Sequence, residues 1–130
     1  SISSVFPQAM NNFIFMNGSA NRTPYVYDYG NNTWSEALMI NNSGGEQNTH
    51  IAYDSKNKKL MSVRQLSNSN QVFIDAYDPI SNTWETRSSF DAPNTYGNMD
   101  MAYDSESEKI ILCYFVNNLY RYSYDYETDS

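Results

Sequence analysis

The sequence contains one cysteine, Cys113, and one histidine, His50, in 130 residues. A single cysteine excludes an intrachain disulfide framework and a zinc site made of several cysteines, and a single histidine excludes a metal site that needs two histidines from one chain. We therefore expect no metal and no cofactor. Cys113 lies in an apolar stretch, where a cysteine typically behaves as a small buried hydrophobic residue.

Basic residues and long apolar stretches are also scarce. The chain has 8 basic against 15 acidic residues and a formal net charge of -7. Because a nucleic-acid partner requires a basic surface, we expect none. No apolar stretch reaches the ~18 residues of a membrane-spanning helix, so we expect no membrane span. The chain is instead rich in asparagine, serine and tyrosine, with 12 tyrosines.

Two segments of the sequence recur at the same spacing. Residues 26–34 resemble residues 76–84, and residues 50–60 resemble residues 100–110, in both cases 50 positions later. A third copy of the first segment begins at residue 124. A repeat of about 40–50 residues is typical of propeller blades or of helical pairs. We expect a structural role for the repeated residues, namely Tyr27, Asp28, Trp34, Tyr77, Asp78, Trp84, Tyr124 and Asp125.

The apolar stretches predict β-strands and no helices. They are short, rich in β-branched and aromatic residues, bounded by turn-forming residues, and without a helical period. We expect strands near residues 8–10, 12–16, 24–28, 33–38, 49–53, 60–64, 71–77, 83–86, 98–103, 109–115 and 119–124. The Asn117–Asn118 pair predicts a two-residue turn with positive φ at both positions. Four antiparallel strands per repeat predict an all-β fold, a partial β-propeller of about three four-stranded blades.

The Tyr27-Asp28 and Tyr77-Asp78 pairs, each followed by Thr-Trp, resemble the kelch repeat. In that repeat the third strand ends in Tyr-Asp and the outer strand begins at a Trp. The stretches 52–55 and 102–105 (Ala-Tyr-Asp-Ser) resemble the first hairpin of kelch blades of the galactose-oxidase type. The usual Gly-Gly pair after the second strand is replaced by other residues, at positions 17–18, 64–65 and 115–116. The resemblance implies a kelch-like β-propeller with degenerate blades.

Residues 1–130 then form one array of blades. We expect an outer-strand segment at residues 1–6, blades at 7–40 and 49–90, and at 98–130 a blade lacking its outer strand, which the N-terminal segment or a neighbouring chain would supply. Three blades cannot close a ring, since propellers typically have four to eight. The expected partners are other copies of the chain or the remaining blades of a propeller. A carboxylate-rich turn (Asp104, Glu106, Glu108) and its lysine-rich counterpart (Lys56, Lys58, Lys59) could attract each other across neighbouring blades or chains.

The loops at one end of such blades predict a binding surface for a protein or a glycan, because loops on a rigid scaffold commonly bind ligands. The candidate residues are Arg22, Gln65, Asn68, Arg87, Asn94 and Tyr96. The prediction is a non-catalytic interaction or structural module, not an enzyme. The alternative is a fragment of a larger galactose-oxidase-like propeller enzyme whose active site lies outside this chain.

Four asparagines stand in N-glycosylation sequons. Asn17, Asn31 and Asn41 are the candidates, and a proline after its threonine weakens the sequon at Asn21. The number of sequons is close to what this Asn- and Ser-rich composition gives by chance. The low charge content, together with abundant asparagine, serine and tyrosine, favours an extracellular or cell-surface location, although one reduced cysteine is equally compatible with the cytoplasm.

Overall fold

A computed structural model describes residues 2–5, 12–17, 24–28, 30–36, 46–66, 68–94 and 98–130. Within them the chain forms three antiparallel β-sheets and no helix, as the all-β prediction requires. The strands are β1 (Ile2–Val5), β2 (Asn12–Asn17), β3 (Pro24–Asp28), β4 (Thr33–Glu36), β5 (Glu46–Asp54), β6 (Lys59–Leu66), β7 (Gln71–Asp78), β8 (Thr83–Asp91), β9 (Asn98–Asp104), β10 (Lys109–Phe115) and β11 (Leu119–Tyr124). Among the residues described, no helix is long and apolar enough to cross a membrane.

Each sheet follows the order of the chain. The first sheet contains β1-β2-β3-β4, the second β5-β6-β7-β8 and the third β9-β10-β11, and none of them closes on itself. The first strands of successive sheets lie beside one another, β1 against β5 and β5 against β9. The three sheets are therefore arranged side by side around their first strands, each with its last strand on the far side.

The expected position of the N-terminal strand is wrong. Residues 1–6 are predicted to form an outer strand, but β1 pairs with β2, from Ile2 opposite Asn17 to Val5 opposite Ile14. It lies at the edge opposite β4, so it holds the first position of its sheet and not the last. The strand expected at residues 8–10 lies outside the described residues.

One strand boundary and one turn also differ from the expectation. Strand β8 continues to Asp91, five residues beyond its expected end, because it stays paired with β7 past an irregularity between Ile74 and Asp75. Between β10 and β11, Phe115 pairs with Leu119 and leaves a three-residue connection. The prediction of a two-residue turn at Asn117–Asn118 is therefore wrong, and neither asparagine is among the residues with positive φ.

The main core fills the space between the second and third sheets. Alternation along each strand places one set of side chains on each face of a sheet. The second sheet contributes Ala52, Met61, Val63, Val72, Ile74 and Ala76, and the third contributes Met99, Met101, Ile110, Leu112, Tyr114 and Tyr124, all buried. The opposite face of the second sheet is buried as well, with Leu60 and Ser62 fully covered and Tyr77 3% exposed. The second sheet is thus covered on both faces.

Candidate interaction site

The repeated Tyr-Asp motif forms the same turn three times. Each Tyr hydroxyl donates to a side-chain oxygen five residues later, at 2.5 Å from Tyr27 to Asn32, 2.6 Å from Tyr77 to Asn82, and 2.5 Å from Tyr124 to Asp129. Each acceptor residue has a positive φ, of 52°, 53° and 55°. Asparagine and aspartate tolerate this left-handed conformation better than most residues. The sequence signal for these acceptors was the polar residue that all three copies share at this position.

The aspartate of each motif completes the turn. Asp28, Asp78 and Asp125 accept a backbone N–H two residues later, at 2.8, 2.9 and 2.9 Å. The side-chain hydrogen bond from Asn31 lowers the pKa of Asp28, and the ammonium of Lys59, 2.7 Å away, lowers the pKa of Asp78. Burial, with the hydrogen bond to Asp129, raises the pKa of Tyr124 to about 12. These contacts are those of a structural turn.

The repeated tryptophans stack on the repeated tyrosines. The ring centroids of Tyr27 and Trp34 are 5.0 Å apart, and those of Tyr77 and Trp84 are also 5.0 Å apart. The two copies differ in their surroundings, because Tyr77 is buried whereas Tyr27 is half-buried, and Trp84 is half-buried whereas Trp34 is 56% exposed. The ring pair is therefore more open to solvent in the first sheet than in the second.

Charged side chains join the second and third sheets at their turns. The ammonium of Lys56 pairs with the carboxylates of Glu108 and Glu127, the latter at 3.1 Å, and these hydrogen bonds raise the pKa of Lys56. This is the attraction expected between a lysine-rich and an acidic turn. Arg87 lies over the ring of Tyr126 at 4.3 Å and donates to its carbonyl oxygen at 3.0 Å.

The four described residues of the predicted loop-end binding site lie in different settings. Arg87 lies within strand β8, not in a loop, and it binds the C-terminal turn. Gln65 lies in β6, is fully buried, and its amide donates to the carbonyls of Ser69 and Asn94 at 3.1 and 2.9 Å. Asn68 and Asn94 are exposed. The two remaining candidates, Arg22 and Tyr96, lie outside the described residues.

The glycosylation candidates lie in different settings. Asn17 ends strand β2, although a loop was expected there. Asn31 is exposed in a turn, where its amide donates to Asp28 at 2.8 Å. Asn41 lies outside the described residues.

A buried ion pair lies on the face of the second sheet that is turned away from the third. Arg64 is 8% exposed and Asp75 is 1% exposed, and the guanidinium Nε lies 2.5 Å from the carboxylate. The hydroxyl of Thr86 donates to the same carboxylate at 2.6 Å, and the guanidinium also lies 4.4 Å from the centre of the Phe73 ring. Both charges have a partner, so this ion pair stabilises the fold of the second sheet.

Among the described residues, the third sheet has one face that no other sheet covers, on which apolar side chains stand among polar ones. Its side chains come from β9, β10 and β11, where Ile111 stands opposite Ala102 and Ser123, Cys113 opposite Asp100 and Arg121, and Phe115 opposite Asn98 and Leu119. We call these residues the outer face of the third sheet. Phe115 and Leu119 are each 52% exposed, and a shallow cavity opens beside Ala102, Ile111 and Cys113. Cys113 is half-buried on this face, so the expectation of a buried cysteine is corrected.

The repeat shows what this face corresponds to in the second sheet. Fifty residues earlier, Ile111 corresponds to Met61, which is fully buried, and Cys113 corresponds to Val63, which is 1% exposed. In β11, aligned through Tyr124 and Tyr77, Arg121 corresponds to Ile74. The face of the second sheet that packs against the third sheet is thus the equivalent of the outer face. Aligning the two copies of the repeat residue by residue could have found it.

The first sheet also carries aromatic side chains that are open to solvent in part, with Trp34 exposed and Tyr25 and Tyr27 half-buried. Tyr27, Trp34 and Tyr25 correspond to Tyr77, Trp84 and Asp75 of the second sheet, 50 residues later. Tyr25 stands opposite Glu36, and its hydroxyl donates to that carboxylate at 3.4 Å. All four residues of β4 are exposed. The array thus has an exposed surface at each end, one on the first sheet and one on the third.

The part of the chain that the structure describes contains no group of three or more His, Cys, Asp or Glu side chains that could hold a metal ion. His50 lies 3.9 Å from Asp100, and burial lowers its pKa.

No protein-family model matches this sequence, and a search of curated proteins gives no match. The functional argument therefore rests on the geometry of the sheets.

Proposed function

We propose that this protein is a non-catalytic interaction module that associates through the outer face of its third sheet, and that its three sheets are kelch-like propeller blades. The arrangement of β1, β5 and β9 beside one another supports the blade assignment, because propeller blades meet at their first strands. The Tyr-Asp turns and Tyr–Trp pairs that carry the kelch resemblance recur with the same geometry.

The observation that carries the proposal is the exposure of repeat-equivalent core positions. Met61 and Val63 are buried because the third sheet covers them, whereas Ile111 and Cys113 stand at the same positions without such a cover. Neighbouring apolar side chains that are left open to solvent, such as Ala102, Ile111 and Cys113, mark interaction sites on soluble proteins. The favoured occupant is another sheet of the same kind, since that is what covers the equivalent face within the chain.

The experiment is sedimentation equilibrium from about 1 μM to about 1 mM, the range in which weak association is measured. We expect concentration-dependent association, and we expect Ile111→Lys to weaken it at least about tenfold, because an ammonium would be buried in an apolar contact. The matched control is Ile80→Lys, at a turn position that is 82% exposed, which leaves association unchanged. A folded wild-type protein that stays monomeric throughout this range would refute self-association.

A further inference from the structure

We propose that the occupant of the outer face is the first sheet of a second copy of this chain, seated so that Arg121 of one copy meets Glu36 of the next. This inference rests on the function proposed above and names its partner and its geometry. It follows from two observations. The contact between the second and third sheets serves as the template for docking one sheet on another, and opposite charges lie at the two ends of the array of sheets.

The template contact places known residues opposite one another. Ile74 of the second sheet lines the same cavity as Leu112 and Tyr122 of the third, and the rings of Phe90 and Tyr122 are 4.5 Å apart. The positions of Ile74 and Tyr122 therefore border the same part of this contact between the sheets. A sheet that docks on the outer face in the same way brings its equivalent of Tyr122 towards the equivalent of Ile74, which is Arg121.

The first sheet supplies that equivalent residue on its exposed side. Tyr122 aligns with Asp75 through the Tyr-Asp motif, and Asp75 aligns with Tyr25. Tyr25 stands beside Glu36, its partner in the strand pairing. Docking the first sheet of one copy on the third sheet of another by this template brings the guanidinium of Arg121 to Tyr25 and Glu36 of the neighbour.

The two charges stand where the second sheet has no charge. Arg121 takes the place of Ile74, which is 6% exposed, and Glu36 takes the place of Thr86. Both are exposed here, on opposite ends of the array. An exposed cation on one end and an exposed anion at the complementary position on the other end fit each other, and an Arg–carboxylate pair also fixes orientation. This complementarity favours a second copy over an unrelated partner.

The contact joins two different surfaces, so it is heterologous. Such contacts generate closed rings if the rotation between copies closes and open arrays if it does not. A symmetric dimer formed by two third sheets would leave Glu36 outside the contact. That difference makes the two arrangements separable by mutation.

The test is charge reversal measured by sedimentation velocity. Arg121→Glu and Glu36→Arg should each weaken association at least about tenfold, because like charges would then face each other in the contact. The double variant should associate within about threefold of wild type, because each of its contacts again pairs opposite charges. An equimolar mixture of the two single variants should do the same, because contacts between the two different variants also pair opposite charges. Controls with the same change in net charge are Lys58→Glu, at a position where the third repeat has Glu108 with a similar φ, and Asp91→Arg, at the exposed end of β8.

The outcomes separate this inference from the function on which it rests. If only Arg121→Glu weakens association, or if the mixture does not recover, the head-to-tail seat is wrong while the outer face remains the docking surface. If neither single variant changes an association that Ile111→Lys weakens, the seat is likewise wrong. If wild type does not associate at all, the proposed function is refuted as well. Thermal unfolding of each variant shows that a loss of association is not a loss of fold.

Discussion

Removing the carboxylate of Asp75 should cost more stability than removing any exposed charge of the chain. Asp75 is 1% exposed, and the side chain of Arg64 beside it is 10% exposed, so Asp75→Ala leaves a guanidinium in the interior without its counter-ion. Breaking a buried pair in this way costs about 3–5 kcal/mol. The hydrogen bond from Thr86 is lost as well. Since domains are stable by about 5–15 kcal/mol, we expect the loss of a large share of the total.

The measurement is urea unfolding followed by tryptophan fluorescence, with the free energy taken by linear extrapolation. Glu108→Gln is the control, because it breaks an ion pair whose side chains are 37% and 49% exposed, and such pairs contribute about 0–1 kcal/mol. The double variant Arg64→Met/Asp75→Leu removes both charges, and we expect it to be more stable than Asp75→Ala. The reasoning fails if Asp75→Ala and Glu108→Gln lose the same free energy, or if the double variant is the least stable.

Three further predictions concern single positions. Met61→Ala should lower the free energy of unfolding by about 2–5 kcal/mol and Ile111→Ala by clearly less, because Met61 is fully buried and its repeat equivalent Ile111 is not. The measurement is urea unfolding of the monomer at low protein concentration, and equal losses would contradict the face assignment. The pKa of Asp78 is lowered in the folded state, so its contribution to stability is present above the unfolded pKa of 3.8 and is lost as the pH falls through the folded pKa. Asp78→Asn should therefore make the free energy of unfolding less dependent on pH in this acidic range, and an unchanged pH profile would contradict the contribution of Asp78. Tyr124→Phe should remove an ionisation near pH 12 from the ultraviolet titration of the tyrosines, whereas a spectrum that still shows this step would place it on another residue.

The strands of the second and third sheets could be predicted within a few residues, except for the end of β8. In β6, β7 and β10 the runs of β-branched and aromatic residues are bounded by turn residues, and this pattern depends only on local sequence. The end of β8 could not be predicted this way, because residues 87–91 include Arg, two Ser and Asp and remain in the strand only through pairing with β7. The position of β1 depends on a partner strand, which its own residues do not specify.

The site was harder to predict than the fold, because it depends on which face has a neighbour. Residues 110–115 are apolar throughout and look like a strand buried on both faces, but only Ile110, Leu112 and Tyr114 are in the core. Gln65 looked like a loop residue suited to binding, yet it is the buried member of a hydrogen-bonded group. Composition and periodicity indicate which residues can be buried, and only the packing of the sheets shows which of them are.

The reactivity of Cys113 tests the central claim most directly, because it is the single thiol of the chain and lies on the outer face of the third sheet. The measurement is its rate of alkylation by a maleimide as the protein concentration is raised. If this face is the docking surface, the rate falls in step with the associated fraction, while Ile111→Lys keeps the fast rate of the monomer. Association with an unchanged Cys113 rate would show that the copies meet through another surface, and the account would be wrong.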